Sequence, residues 1–543
     1  MSEPRPARDA KSAPVVLYDT TLRDGMQGFG MQLSIEQKLR IARRVDLLGI
    51  PYIEAGWPGA NPRDTGVFDE LRARPLRRAR LAAFGSTCRA NSAAKQDPVL
   101  GATLAAETPV VTLVGKTSRW QVETVLRTTP TENLRMVADS IEVAVGEGRE
   151  VVFDAEHFFD GHAADAEYAL RVLDTARGAG ASWIVLCDTN GGRLPEEIAS
   201  ATSAARELLG DCVGIHCHND TGTATAASLA AVRAGARMVQ GTLNGTGERC
   251  GNADLLIVAA NLQIKMGLGV LDPEQMAELV SVSQLLDSLL NRLPDPQRPY
   301  LGSAAFLHKA GLHAQGISRD PMAYQHIDPE MVGNRMRTVV SDQSGRSNVA
   351  AKLKDMGLDP LDREAGQAVV EQLKRLEVAG WAFEDADASF ELLVARTLPE
   401  DVPPFELCEM LVVAHEQVRD SIEAVTGVQA SVKVRVTGAL VHTAAEGTGP
   451  VEALDGAIRR ALVPHFPFLA DVRLVDYRVR VIDGDRGTAA TVRVGIDSSD
   501  GDRTWTTVGC SSNILRASSM ALVDSYEWAA RHAAVTNRLS TSA

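Results

Sequence analysis

Eight short apolar runs recur along the first half of this chain, at residues 15–22, 52–57, 80–85, 109–115, 150–157, 182–188, 212–218 and 236–243. Each has the length and composition of a strand. Helix-like segments follow most of them, at 34–48, 132–148, 164–178, 196–209, 223–234 and 253–266. The first of these shows its start plainly: Ser34 and Gln37 have capping-box spacing, and Ile35, Leu39, Ala42 and Val45 repeat on one face. Eight strands alternating with helices predict an α/β protein built on a (β/α)8 TIM barrel, which takes about 250 residues. An open doubly wound sheet would instead carry a Gly-rich phosphate turn after its first strand. Asp24-Gly25-Met26-Gln27-Gly28 is not that fingerprint.

At 543 residues the chain is too long for a barrel alone. The alternation stops near residue 270, Pro294, Pro296 and Pro299 punctuate the region that follows, and Pro403-Pro404 marks a second change. Beyond it a weak repeat appears. Strand-like 432–436 leads into a helix at 451–462, and strand-like 490–494, with a hairpin signal at Asp500-Gly501, leads into a helix at 514–532. The expected organisation is a tail at 1–13, a barrel catalytic domain at 14–270, helical linker subdomains at 271–403, and a C-terminal α+β regulatory or dimerisation domain at 404–543.

A net charge of −14 argues against nucleic-acid or anionic-membrane partners, whose sites are usually basic. No uncharged apolar stretch approaches the ~20 residues of a membrane span. Residues 1–13 lack the apolar segment of a secretory leader, and seven scattered cysteines without CxxC suit a reducing cytoplasm.

Chemistry-bearing residues concentrate at the carboxyl ends of the predicted strands, where barrel enzymes keep their active sites. Strand one ends in Asp19 to Gly25, strand two in Glu54, strand five in Asp154-Ala155-Glu156-His157 and strand six in Asp188-Thr189-Asn190-Gly191. Strand seven carries His216-Cys217-His218. Because a strand repeats every two residues, both imidazoles project from one face, half of a metal site that oxygen ligands would complete. Strand eight leads into Asn244 to Asn252. Taken singly, each of these groups is as readily a solvated loop residue or a helix cap.

Asp19-x-Thr-Leu-Arg-Asp-Gly, the His216 to Asp220 run and Gly245-x-Gly-Glu-Arg-x-Gly-Asn-Ala253 resemble the DRE-TIM metallolyase superfamily. Within it the chain is similar to acyl-CoA-condensing 2-alkylmalate synthases, most of all the long citramalate synthase type. The resemblance runs from about Val15 to Trp528. Isopropylmalate synthases usually read Gly-Phe-Pro where this chain has Gly56-Trp57-Pro58. Met26, Phe29 and Thr221-Gly222-Thr223 depart from the familiar pattern and leave the 2-oxoacid acceptor open.

The resemblance implies a divalent metal (Mg, Mn or Zn) held by Asp24, His216 and His218, with Asn252 as a fourth contact. It makes Arg23 the donor to the developing alkoxide and Glu156 part of the acid–base machinery, joined by His313 and Tyr324 from a segment beyond the barrel. Thr189 would orient the oxoacid carboxylate, with Gln27 and Glu54 supporting Arg23 and the ligands. The implied reaction condenses acetyl-CoA with pyruvate in a cytoplasmic homodimer inhibited by isoleucine. Another 2-oxoacid acceptor, a cleaving lyase on the same barrel, and a non-catalytic binder are the alternatives.

Overall fold

A computed structural model describes residues 14–60, 62–308, 316, 320–338, 346–416, 426–501 and 503–540. The eight runs are strands: β1 (Val16–Asp19), β2 (Tyr52–Glu54), β3 (Arg80–Ser86), β4 (Val110–Lys116), β5 (Glu150–Glu156), β6 (Trp183–Asp188), β7 (Val213–Cys217) and β8 (Met238–Gly241). All neighbours are parallel and the sheet closes into a barrel through β1 and β8, where Val16 pairs with Met238 and Asp19 with Gly241. Parallel strands covered on both faces can be apolar throughout, which is why β4 and β6 lack alternation.

Alternate residues divide between two cores. Tyr18, Tyr52, Val110, Val152, Val185 and Met238 fill the barrel interior, while their neighbours pack outward under the helices. Two residues further along the interior face, apolar gives way to polar. Tyr52 is followed by Glu54, Val152 by Asp154 and then Glu156, Gly214 by His216, and Met238 by Gln240. The period of two thus carries one line of side chains per strand from packed core to a polar mouth.

The helix Ile35–Leu48 has its capping box: the Gln37 amide donates to Ser34 Oγ at 3.2 Å and the Ser34 amide to Gln37 Oε1 at 2.8 Å. Helices Pro62–Ala73 and Pro98–Ala105 complete the alternation. The sequence pattern had not marked them, since one carries charge on most faces and the other is short and apolar all round. The segment expected at 253–266 is α-helical over Leu255–Ala260 and continues as a π-turn, Asn261–Lys265.

The chain divides into two compact units. One runs to Phe306 and includes His326–Met336; the other comprises Leu307–Gln325 and everything from Arg337. In the second, two short parallel strands, β9 (Leu307–His308) and β10 (Arg337–Thr338), precede helices Arg346–Asp355, Arg363–Val378 and Asp387–Thr397. Two antiparallel three-stranded sheets follow. β11 (Phe405–Glu416), β12 (Thr426–Val436) and β13 (Ala439–Gly447) precede helix Pro450–Leu462, and β14 (Arg473–Val481), β15 (Val492–Ser499) and β16 (Thr504–Ser511) precede helix Ile514–Ser540. The expected duplication is therefore three strands and a helix, twice, around one core that includes Val434, Ile458, Ile496 and Tyr526. Among the described residues no helix is long and apolar enough to cross a membrane.

Candidate active site

At the carboxyl end of the barrel lies a cavity of about 590 Å³ whose lining includes Arg23, Asp24, Gln27, Glu156, Thr189, His216 and His218. Seven residues singled out from the sequence thus meet in one place. Glu54 and Asn252 stand directly behind them, the first against Arg23 and the second against Asp24. Tyr324 belongs to the second unit, where it is half exposed, and His313 lies outside the described residues.

Asp24 follows β1 by five residues and is turned inward by a tight loop in which the amides of Asp24 and Gly25 both donate to the Thr20 carbonyl. Its Oδ2 lies 3.1 Å from His216 Nε2 and 3.8 Å from His218 Nε2, and all three side chains are buried. Asn252 Nδ2 donates to the same oxygen at 3.0 Å. The loop that delivers Asn252 folds back on itself: the Asn252 amide donates to the Gly245 carbonyl and the Ala253 amide to the Cys217 carbonyl. Gly251 is required there. Its φ is +86°, and a Cβ would sit 1.9 Å from the Gly245 oxygen.

Burial alone would raise the Asp24 pKa. Arg23, and then the hydrogen bond and charge of His216, outweigh it and hold the carboxyl well below the usual range. His218 is pulled down to about 4 by burial and by neighbouring His216, so it is neutral at physiological pH. Two features suit this pocket to a cation. Asp24, His216 and His218 each offer a ligand atom within 4.8 Å of the others, and buried Asn252 Oδ1 has no hydrogen-bond partner among the described residues.

Arg23 is the electrostatic centre. Its Nε donates to Glu54 Oε1 at 2.5 Å, and its guanidinium lies 3.8 Å above the Phe84 ring. Its Nη1 and Nη2 are farther from their carboxylates, 3.6 Å from Asp24 Oδ1 and 3.9 Å from Asp154 Oδ2, so they keep N–H donors for a ligand. Burial opposes its charge, but Glu54, Asp24 and Asp154 more than restore it. Glu54 is itself held from behind by the Tyr18 hydroxyl at 2.9 Å.

Sequence reasoning missed three members of this constellation. Lys116 pairs with Glu156 across adjacent strands, being its register partner at the ends of β4 and β5. Gln240 bridges His216 and Asp154 from β8. Asp154 stood at a predicted strand end without a role; burial and Glu54 push its pKa up to about 7 against the pull of Arg23. A polar residue at an interior position of an apolar strand was the available signal for Gln240. Thr189 Oγ1 accepts from the His157 amide at 2.8 Å, which directs its own hydroxyl hydrogen elsewhere.

In the second unit, the turns that join the third strand to the helix of each repeat are partly engaged. The Thr448 amide donates to Glu452 Oε2, and the Asn513 amide to Ser511 Oγ.

Comparison with known proteins places this geometry. Residues 14–286 match the HMGL-like family, 301–380 the homocitrate synthase post-HMGL domain-like family, and 384–529 the LeuA allosteric (dimerisation) domain. The chain is 47% identical over 537 residues to an (R)-citramalate synthase of Synechocystis sp., covering 96% of this chain and 97% of the relative. It is 46% identical over 517 residues to the (R)-citramalate synthase of Aquifex aeolicus, covering 94% and 97%. A probable 2-isopropylmalate synthase of Methanopyrus kandleri is 33% identical over 513 residues, covering 94% and 97%.

Proposed function

The chain belongs to the (R)-citramalate synthase family, and on that premise we propose that it condenses acetyl-CoA with pyruvate to give (R)-citramalate and CoA. The observation that carries the reading is the convergence of Asp24, His216 and His218 on one buried point beside Arg23 and Glu156.

Asp24, His216 and His218, with Asn252 as a fourth contact, would hold a divalent ion, which would supply Lewis-acid polarisation of the ketone. Borderline nitrogen and oxygen donors accept Mg, Mn or Zn. The Nη groups of Arg23 donate to the ketone oxygen as negative charge develops on it. The Thr189 hydroxyl donates to the oxoacid carboxylate, and Gln27 lines the same cavity. Glu156 takes the proton from the thioester methyl group, with Lys116 fixing the carboxylate in place. His313 and Tyr324 complete the acid–base chemistry. Hydrolysis of the resulting thioester releases CoA and draws the condensation forward.

The C-terminal sheets form a homodimer and bind isoleucine as feedback inhibitor, in keeping with the LeuA allosteric (dimerisation) match. The enzyme works in the cytoplasm.

The test is thiol release from acetyl-CoA across a panel of 2-oxoacids. Pyruvate should give the highest kcat/KM, with the product resolved on a chiral column. Preference for 2-oxoisovalerate would move the protein to isopropylmalate synthesis.

A further inference from the structure

Gln240 is fully buried on the interior face of β8, two residues beyond the core residue Met238. Its Nε2 donates to Asp154 Oδ1 at 2.9 Å, and its Oε1 lies 2.9 Å from His216 Nδ1. The first bond fixes the second. An amide turned the other way would set its oxygen against Asp154 Oδ1, acceptor against acceptor whenever Asp154 is ionised. With Oε1 toward the imidazole, Nδ1 must carry the hydrogen. That leaves Nε2, 3.1 Å from Asp24 Oδ2, as the nitrogen that can give up its hydrogen bond to the carboxylate and face a cation.

We propose that Gln240 is a positioning residue for the metal: it transmits the orientation set by Asp154 to His216 and locks the imidazole in the tautomer that presents Nε2 to the ion. This rests on the reading of Asp24, His216 and His218 as cation ligands. Metal-bound histidines ordinarily donate their second nitrogen to a carboxylate, carbonyl or water. Here an amide stands between carboxylate and histidine, because the residue must accept from one neighbour and donate to the other. A carboxylate at position 240 would satisfy His216 but oppose Asp154. An apolar side chain would strand both, each buried without its partner. The other oxygen of Asp154 faces Arg23 Nη2, so the same carboxylate braces a ligand and the proposed alkoxide donor.

The experiment is titration of manganese into metal-stripped enzyme by calorimetry, comparing wild type with Gln240→Met, which keeps side-chain length and removes both bonds. Wild type should bind one ion per chain and the variant 10- to 100-fold more weakly, with unchanged circular dichroism. A space-filling role would leave affinity untouched, and equal affinities overturn the inference while leaving the ligand assignment standing. Absence of binding by wild type overturns both. Should the variant fail to fold, nitrogen-15 NMR of the magnesium-loaded wild type decides. His216 protonated on Nδ1 supports the relay, and His216 protonated on Nε2 overturns it.

Discussion

Asn252 Nδ2 hydrogen-bonds Asp24 Oδ2 at 3.0 Å, joining residues 228 positions apart. The bond exists because the barrel closes β8 against β1, which brings the loops after its last and first strands together over one end of the sheet. The proposed metal pocket is therefore assembled by closure itself, and each side chain in it depends on elements distant in sequence.

Removing a ligand should leave the scaffold standing. Asp24→Ala and His216→Ala are expected to abolish both manganese binding and CoA release, while circular dichroism stays that of wild type. These side chains cap the barrel mouth rather than fill its core. Chelation should have the same effect and be reversed by added metal. Full turnover in stripped enzyme would refute the assignment.

Glu156→Gln keeps shape and removes the base. Turnover should fall by about a hundredfold or more with little change in the KM for pyruvate. A raised KM at unchanged kcat would instead make Glu156 a binding residue. Mixing inactive Glu156→Gln with inactive His313→Ala tests whether the His313 segment serves a partner subunit. Regained activity means that it does.

Asp19 offers a pH signature of stability. It is fully buried, its Oδ2 has no hydrogen-bond partner among the described residues, and burial raises its pKa from 3.8 to about 7 despite the Thr21 hydrogen bonds. A raised carboxyl keeps its proton in the folded state where the unfolded chain has lost it, so its contribution falls as pH rises from about 4 to 7. Asp19→Asn cannot ionise. The melting temperature of the variant relative to wild type should therefore climb across that window and level off above it. A pH-independent difference would show that Asp19 ionises normally.

Calorimetric titration of branched-chain amino acids into the intact protein tests regulation. Isoleucine should bind most tightly and lower kcat or raise KM at saturation. In the turns that join sheet to helix in the two repeats, Thr448 and Asn513 already use their amides internally, so those amides would serve a ligand carboxylate only if Glu452 and Ser511 moved away. No binding by any of the series leaves the domain as a dimerisation element.

The eight strands, the Ser34 capping box and the shared face of His216 and His218 were legible in the sequence, since each is decided by residues two to four positions apart. So was the concentration of polar groups at strand ends, and with family resemblance it led to seven residues that line one cavity. Partnership was not legible. That Arg23 would bind Glu54, that Lys116 would meet Glu156, and that Gln240 would join His216 to Asp154 depends on which strands become neighbours and in what register. A strand's own pattern determines which side chains point inward; only closure of the sheet decides what they meet, because hydrogen bonding between strands sets register through space and not along the chain.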